Sequence, residues 1–149
     1  MRYYDFQVVL QEVPGEISLC FSISGCPLRC DGCHSPFLWK DENGSLLYKE
    51  HFEGVLNQYD KLATCVLFMG GEWHEKELVT FLKLARRNNY KTCLYTGEEI
   101  VSNAVLNELT WVKTGPWKQS LGGLNCPATN QKFIDVTTNK KLNYLFTKN

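Results

Sequence analysis

Three cysteines at C-x3-C-x2-C spacing sit in the stretch Ser24-Gly25-Cys26-Pro27-Leu28-Arg29-Cys30-Asp31-Gly32-Cys33-His34-Ser35-Pro36, directly after an alternating apolar run. No other stretch limits the fold as strongly. The loop must turn tightly enough for three thiols to approach one centre, and Gly25, Pro27 and Gly32 permit those turns. Three thiolates suit a 4Fe–4S cluster in which one iron has no protein ligand. An iron left open in this way is where a substrate or cofactor can bind. Zinc is the competing occupant, but structural zinc closes on four ligands. His34 adjoins Cys33 and is poorly placed to reach the same ion. Scattered buried thiols are the remaining reading.

The other cysteines sharpen the choice. Seven in 149 residues are odd in number and too sparse for a disulfide-framed secreted domain. Cys20, Cys65 and Cys93 fall within apolar runs and read as core thiols, and Cys126 lies in a long loop. Clustering of the other three points to a metal in a reducing compartment. A chain of this length with 44% hydrophobic residues fits one domain, 1–149, with its own core. Sixteen basic and sixteen acidic residues cancel, and no basic patch marks a nucleic-acid partner. Met1–Asp5 is not a secretory start, and no run approaches the roughly 20 apolar residues of a membrane span. A soluble cytoplasmic protein is expected, with no direct nucleic acid and no membrane among its partners.

In chain order, Phe6–Val13 reads as a strand ended by Pro14-Gly15, and Ile17–Ser24 as a half-buried strand. A short turn or helix is expected around Ser35–Trp39 and a turn at Asp41–Gly44. Lys49–Ala63 carries apolar residues at helical spacing, Thr64–Met69 is a buried strand, and Glu75–Asn88 is a second amphipathic helix ended by basic Arg86-Arg87. Tyr90–Tyr95 is the next strand, Glu98–Leu106 a weaker helix, and Leu109–Lys113 a strand. Residues 115–130 form a loop, and Lys132–Val136 and Lys141–Phe146 a terminal strand pair across Thr138-Asn139. Alternation of strand and helix from residue 17 to 113 predicts parallel βαβ units with right-handed crossovers. A closed eight-stranded barrel needs about 200 residues or more. The expected fold class is therefore α/β, an open partial (β/α) barrel of mostly parallel strands.

The residues that could carry chemistry all follow strand ends: Cys26–Cys33, Gly70-Gly71-Glu72, Thr96-Gly97 and Lys113. Loops at the carboxyl ends of parallel strands converge on one site. The cysteine loop, from Gly25-Cys26-Pro27 through His34-Ser35-Pro36 to Trp39, resembles that of radical S-adenosylmethionine (SAM) enzymes. It is most similar to the small activating enzymes of anaerobic ribonucleoside-triphosphate reductase. Phe68-Met69-Gly70-Gly71-Glu72 resembles that family's Gly-Gly-Glu motif, and Leu94-Tyr95-Thr96-Gly97 its next strand end. Val112–Gly115 and Thr129–Phe133 resemble its C-terminal signatures. Trp73 stands where relatives commonly have Pro, Ser35 where many have Asn, and Thr110 where they often carry Asp.

The resemblance implies a radical SAM fold and two cofactors, a 4Fe–4S cluster on Cys26, Cys30 and Cys33 and SAM on its open iron. It implies SAM contacts from Gly32, Cys33, His34, Gly70, Gly71, Glu72, Thr96 and Lys113, and no catalytic side chain beyond the cluster ligands. The implied reaction is reductive SAM cleavage, with the resulting radical taking a hydrogen from a glycine of the large anaerobic ribonucleotide reductase. A low-potential donor such as flavodoxin is the implied electron source. Trp39, Trp73 and Trp117 lie near the rim and are candidates for docking that partner, against core packing. The rival readings are an activase of another glycyl radical enzyme, a small peptide-modifying radical SAM enzyme, and a non-catalytic metal-binding docking or sensor module.

Overall fold

Residues 1–147 are described by the computed structural model. Its strands are β1 (Arg2–Val9), β2 (Ser18–Ile23), β3 (Ser45–Leu46), β4 (Cys65–Met69), β5 (Lys91–Tyr95), β6 (Trp111–Thr114), β7 (Lys132–Asp135) and β8 (Lys140–Lys141). The helices are α1 (Lys49–Gln58), α2 (Glu75–Arg87) and the single turn α3 (Asn103–Leu106). All eight strands form one sheet in the order β3-β1-β2-β4-β5-β6-β7-β8.

Alternation in β2 divides its side chains between two cores. Leu19, Phe21 and Ile23 join Val66, Phe68 and Leu94 beneath the helices, while Cys20 joins Cys65, Leu67, Cys93 and Phe133 on the opposite face. α1 contributes Phe52, Val55 and Leu56 to the helical side, and α2 contributes Leu78, Phe81, Leu82, Leu84 and Ala85. Phe68 is fully buried, with ring centroids of Phe21, Phe52 and Phe81 at 5.6, 6.0 and 6.4 Å. These separations lie in the range where aromatic pairs add to area burial. Val13, Leu124, Leu142 and Phe146, from loops and the terminal turn, cover the other face.

Parallel pairing is confined to the centre: β2–β4, β4–β5 and β5–β6 are parallel. The other four pairs, β1–β2, β1–β3, β6–β7 and β7–β8, are antiparallel. The expected preponderance of parallel strands therefore holds only for the βαβ segment. Among the described residues, no α-helix precedes β2 or follows β6 to make a crossover. β3 and β8 form the two edges. Because β2, β4, β5 and β6 run the same way, their carboxyl ends share one rim.

Local differences have identifiable causes. β1 starts at Arg2 and ends at Val9, and Val13 turns inward instead of extending the strand. The expected helix from Glu98 shrinks to one turn capped by Ser102, whose hydroxyl accepts from the Val105 N–H. Ile100 is 88% exposed, so that stretch offers no buried face to hold a longer helix. The terminal strand stops at Lys141, and Asn143–Phe146 forms a 3-10 turn. There the Asn143 side chain accepts from the Phe133 N–H and donates to the Gln131 carbonyl, taking groups a continuing strand would need.

Candidate functional site

The cysteine loop is tied down at both ends. The N–H groups of Gly25 and Cys26 both donate to the Leu38 carbonyl, at 2.7 and 2.9 Å. That carbonyl belongs to the 3-10 turn Pro36–Leu38. Cys33 N–H donates to the Cys30 carbonyl at 3.1 Å, closing a turn between the second and third cysteines. Midway, Leu28 packs onto the end of β5: a Cβ on Gly97 would stand 2.5 Å from Leu28 Cδ1. A side chain at position 97 would thus displace the loop's apolar anchor.

Cys26, Cys30 and Cys33 are free and half-buried. Burial pushes the Cys26 thiol up, opposed by backbone N–H groups of Leu28 and Arg29, while the charges of Glu72 and Cys30 add to the rise. Ser35 N–H donates to Cys33 Sγ at 3.4 Å. Among the described residues, no three His, Cys, Asp or Glu side chains are gathered for a single metal ion. One zinc ion draws its thiolates to about 2.3 Å from a common point. In a cubane each cysteine instead holds its own iron, so the sulfurs stand further apart.

Glu72, Thr96 and Lys113 meet on the rim through Thr96. Its hydroxyl donates to Glu72 Oε1 at 2.6 Å and accepts from the Glu98 N–H at 3.0 Å. Lys113 Nζ donates to the carbonyls of Thr96 (3.3 Å) and Gly115 (3.1 Å). Glu72 Oε2 is buried without a partner. Burial raises the Glu72 carboxyl, the Thr96 hydrogen bond working against it. Burial lowers the Lys113 ammonium to about 8, with Cys30 and Glu72 opposing. The two charged groups open on different spaces. Glu72 lines a cavity of about 240 Å³ with Pro27, Trp73, Glu98 and Val101. Lys113 lines one of about 360 Å³ with Glu12, Tyr95 and Gln131.

The glycines of the Gly-Gly-Glu stretch have a packing reason that the sequence did not reveal. Gly70 has φ +80°, and a Cβ there would fall 2.6 Å from Trp73 Cη2. Gly71 has φ +109°, with Met1 Sδ and Ile23 Cγ1 at 3.2 and 3.3 Å from its would-be Cβ. The protein's own side chains occupy the positions a Cβ would take, which accounts for both glycines by packing. His34 is exposed, its ring 4.5 Å from that of Trp117. Gly32 lies against Trp117 Nε1 and Gln119 Oε1, at 3.6 and 3.4 Å from its would-be Cβ. Sequence reasoning missed the Leu28–Gly97 anchor and the Trp117 contacts; the glycine after Thr96 was the available signal for the first. Trp39, Trp73 and Trp117 are each half-buried, with an indole N–H that is buried and unpartnered.

A family model described as a 4Fe-4S single cluster domain matches residues 13–122. The chain belongs to that family. A comparison with curated proteins gave no match. The matched span of this 4Fe-4S single cluster domain contains the cysteine loop, Glu72, Thr96 and Lys113. It is an iron–sulfur, metal-binding protein, and its residues fit one 4Fe–4S cluster. Three unpaired thiols share one anchored loop, and backbone N–H groups stand at two of the sulfurs. Cys20, Cys65 and Cys93 do not fit that role: burial pushes Cys20 and Cys65 up to about 12 and Cys93 well above its ordinary value. No helix among the described residues is long and apolar enough to cross a membrane.

Proposed function

We propose that this domain is a radical SAM activating enzyme on an open partial (β/α) barrel, generating a glycyl radical on a large anaerobic ribonucleotide reductase. One observation carries the reading. A loop of three free thiols, which would leave one iron of a 4Fe–4S cluster without a protein ligand, shares a rim with a buried carboxylate whose Oε2 has no partner. With both cofactors bound, the reduced cluster supplies the electron that cleaves the sulfonium of SAM.

Cys26, Cys30 and Cys33 would each hold one iron of the cluster. Glu72 Oε2 accepts from the ammonium of the methionine moiety, and that positive charge draws the carboxyl back toward its ionised form. Thr96 fixes the carboxylate by donating to Oε1. Trp73 and Val101 line the cavity beside Glu72. Lys113, held by two carbonyls, keeps a positive charge at the end of β6. Gly32 and His34, on either side of Cys33, complete the SAM contacts. The open rim leaves room for a glycine-bearing loop of the partner, and a low-potential donor such as flavodoxin would supply the electron.

The test is anaerobic reconstitution, reduction with dithionite and assay of 5′-deoxyadenosine and methionine. A radical signal on the reductase after mixing tests the partner. A chain with full iron and sulfide that neither binds nor cleaves SAM is not a radical SAM enzyme and would instead be a docking or sensor module.

A further inference from the structure

Trp117 follows Gly115-Pro116 at the end of β6 and folds over the cysteine loop. Its indole N–H is buried and unpartnered, although Gln119 Oε1 lies close by. A buried donor without a partner is destabilising, so its position calls for one. Nε1 stands 3.6 Å from the would-be Cβ of Gly32, the residue between Cys30 and Cys33. The left-handed backbone of Gly32, φ +70°, and its missing side chain let the indole approach the loop this closely. The His34 ring, 4.5 Å from the indole ring, braces it from the far side of Cys33. A space of about 520 Å³ lies between the two loops, lined by Leu28, Cys30, Asp31, Gly32, Pro116 and Trp117 among others.

We infer that Trp117 is a positioning residue for the cluster, its indole N–H donating to sulfur on the Cys30–Cys33 side. Hydrogen bonds to cluster sulfur are one of the protein's levers on reduction potential. Reduction adds negative charge to the sulfurs, and a donor there stabilises the reduced state and raises the potential. The inference rests on the cysteine loop holding the cluster and is independent of what the cluster is used for.

Trp117→Phe keeps a ring against His34 and removes the N–H. Iron and sulfide should stay at the parent level in W117F, and the midpoint potential in an EPR-monitored redox titration should move to more negative values. W111F, which changes an indole packed on the second core, should leave it in place. A W117F potential equal to the parent's at equal iron content overturns the inference. If W117F does not load its cluster, the parent protein decides. With 15N-indole tryptophan incorporated, pulsed EPR of the reduced cluster should show a 15N coupling that persists in W39F and W73F. Absence of that coupling overturns the inference as well. Failure of SAM cleavage in the parent would refute the proposed activity and leave these two measurements standing.

Discussion

Replacing Gly70 by Ala tests whether the Gly-Gly-Glu turn is held by the protein's own packing. The backbone at Gly70 is left-handed, which costs a residue with a Cβ about 1–2 kcal/mol. The new methyl would sit 2.6 Å from Trp73 Cη2 and 3.1 Å from Cζ3. It has little room to retreat, because Gly70 N–H is bonded to the Tyr95 carbonyl at 2.8 Å. Overpacking of this kind costs about 1–3 kcal/mol, so the total loss should be about 2–5 kcal/mol. In anaerobic urea titrations, with a slope of about 1–3 kcal/mol per molar, the midpoint should fall by about 1–2 M. The double variant Gly70→Ala/Trp73→Leu removes the clash and leaves the backbone strain. It should therefore be more stable than the sum of the single effects by about 1–2 kcal/mol. A Gly70→Ala loss below about 0.5 kcal/mol, or strict additivity in the double variant, would refute the packing argument.

Ala at Cys26, Cys30 or Cys33 should abolish the cluster in anaerobic iron and sulfide analysis, whereas Cys20→Ala should leave both contents unchanged. Glu72→Gln should weaken SAM binding at least about tenfold, the loss of a charge-assisted bond, with iron content intact; equilibrium dialysis on the loaded protein reads it, and unchanged affinity removes Glu72 from the site. The stability of the cluster-free chain should fall as pH rises from 9 toward 12. Above the ordinary value of 9.0 the unfolded chain ionises Cys20 and Cys65, while burial holds the folded thiols protonated up to about 12. The unfolded state then binds fewer protons, so each thiol removes up to about 1.4 kcal/mol per pH unit. Cys65→Ala should flatten that slope, and an identical slope in the variant would exclude the thiol as its source.

The sequence disclosed the parts of the molecule that depend on local periodicity. The alternation in Ile17–Ser24 and the helical spacing of Phe52, Val55 and Leu56 match β2 and α1, because burial of one face fixes both patterns. It did not disclose strand direction at the edges, since an antiparallel and a parallel strand carry the same alternation. The two-residue strands β3 and β8 have no periodicity to read. At the rim, the residues flanking each strand end were legible as a set, and topology brings Glu72, Thr96 and Lys113 together. What lay beyond reach was tertiary. Gly97 gives room to Leu28, Gly70 to Trp73 and Gly32 to Trp117, and in each case the partner is remote in sequence or on the far side of a turn.

The reversal of direction between β6 and β7 has an evolutionary consequence. An antiparallel return can be made with a two-residue hairpin, yet here residues 115–131 intervene before β7. Little of that segment is required by sheet connectivity, and part of it lies over the cysteine loop. Exposed positions such as Lys118, Ser120, Asn125, Pro127 and Ala128 can therefore change without disturbing strand register, while Leu124 stays tied to the second core and the βαβ segment to its own packing. Selection for a new partner or a new potential can act on this one segment and leave the folding instructions of the rest of the chain intact.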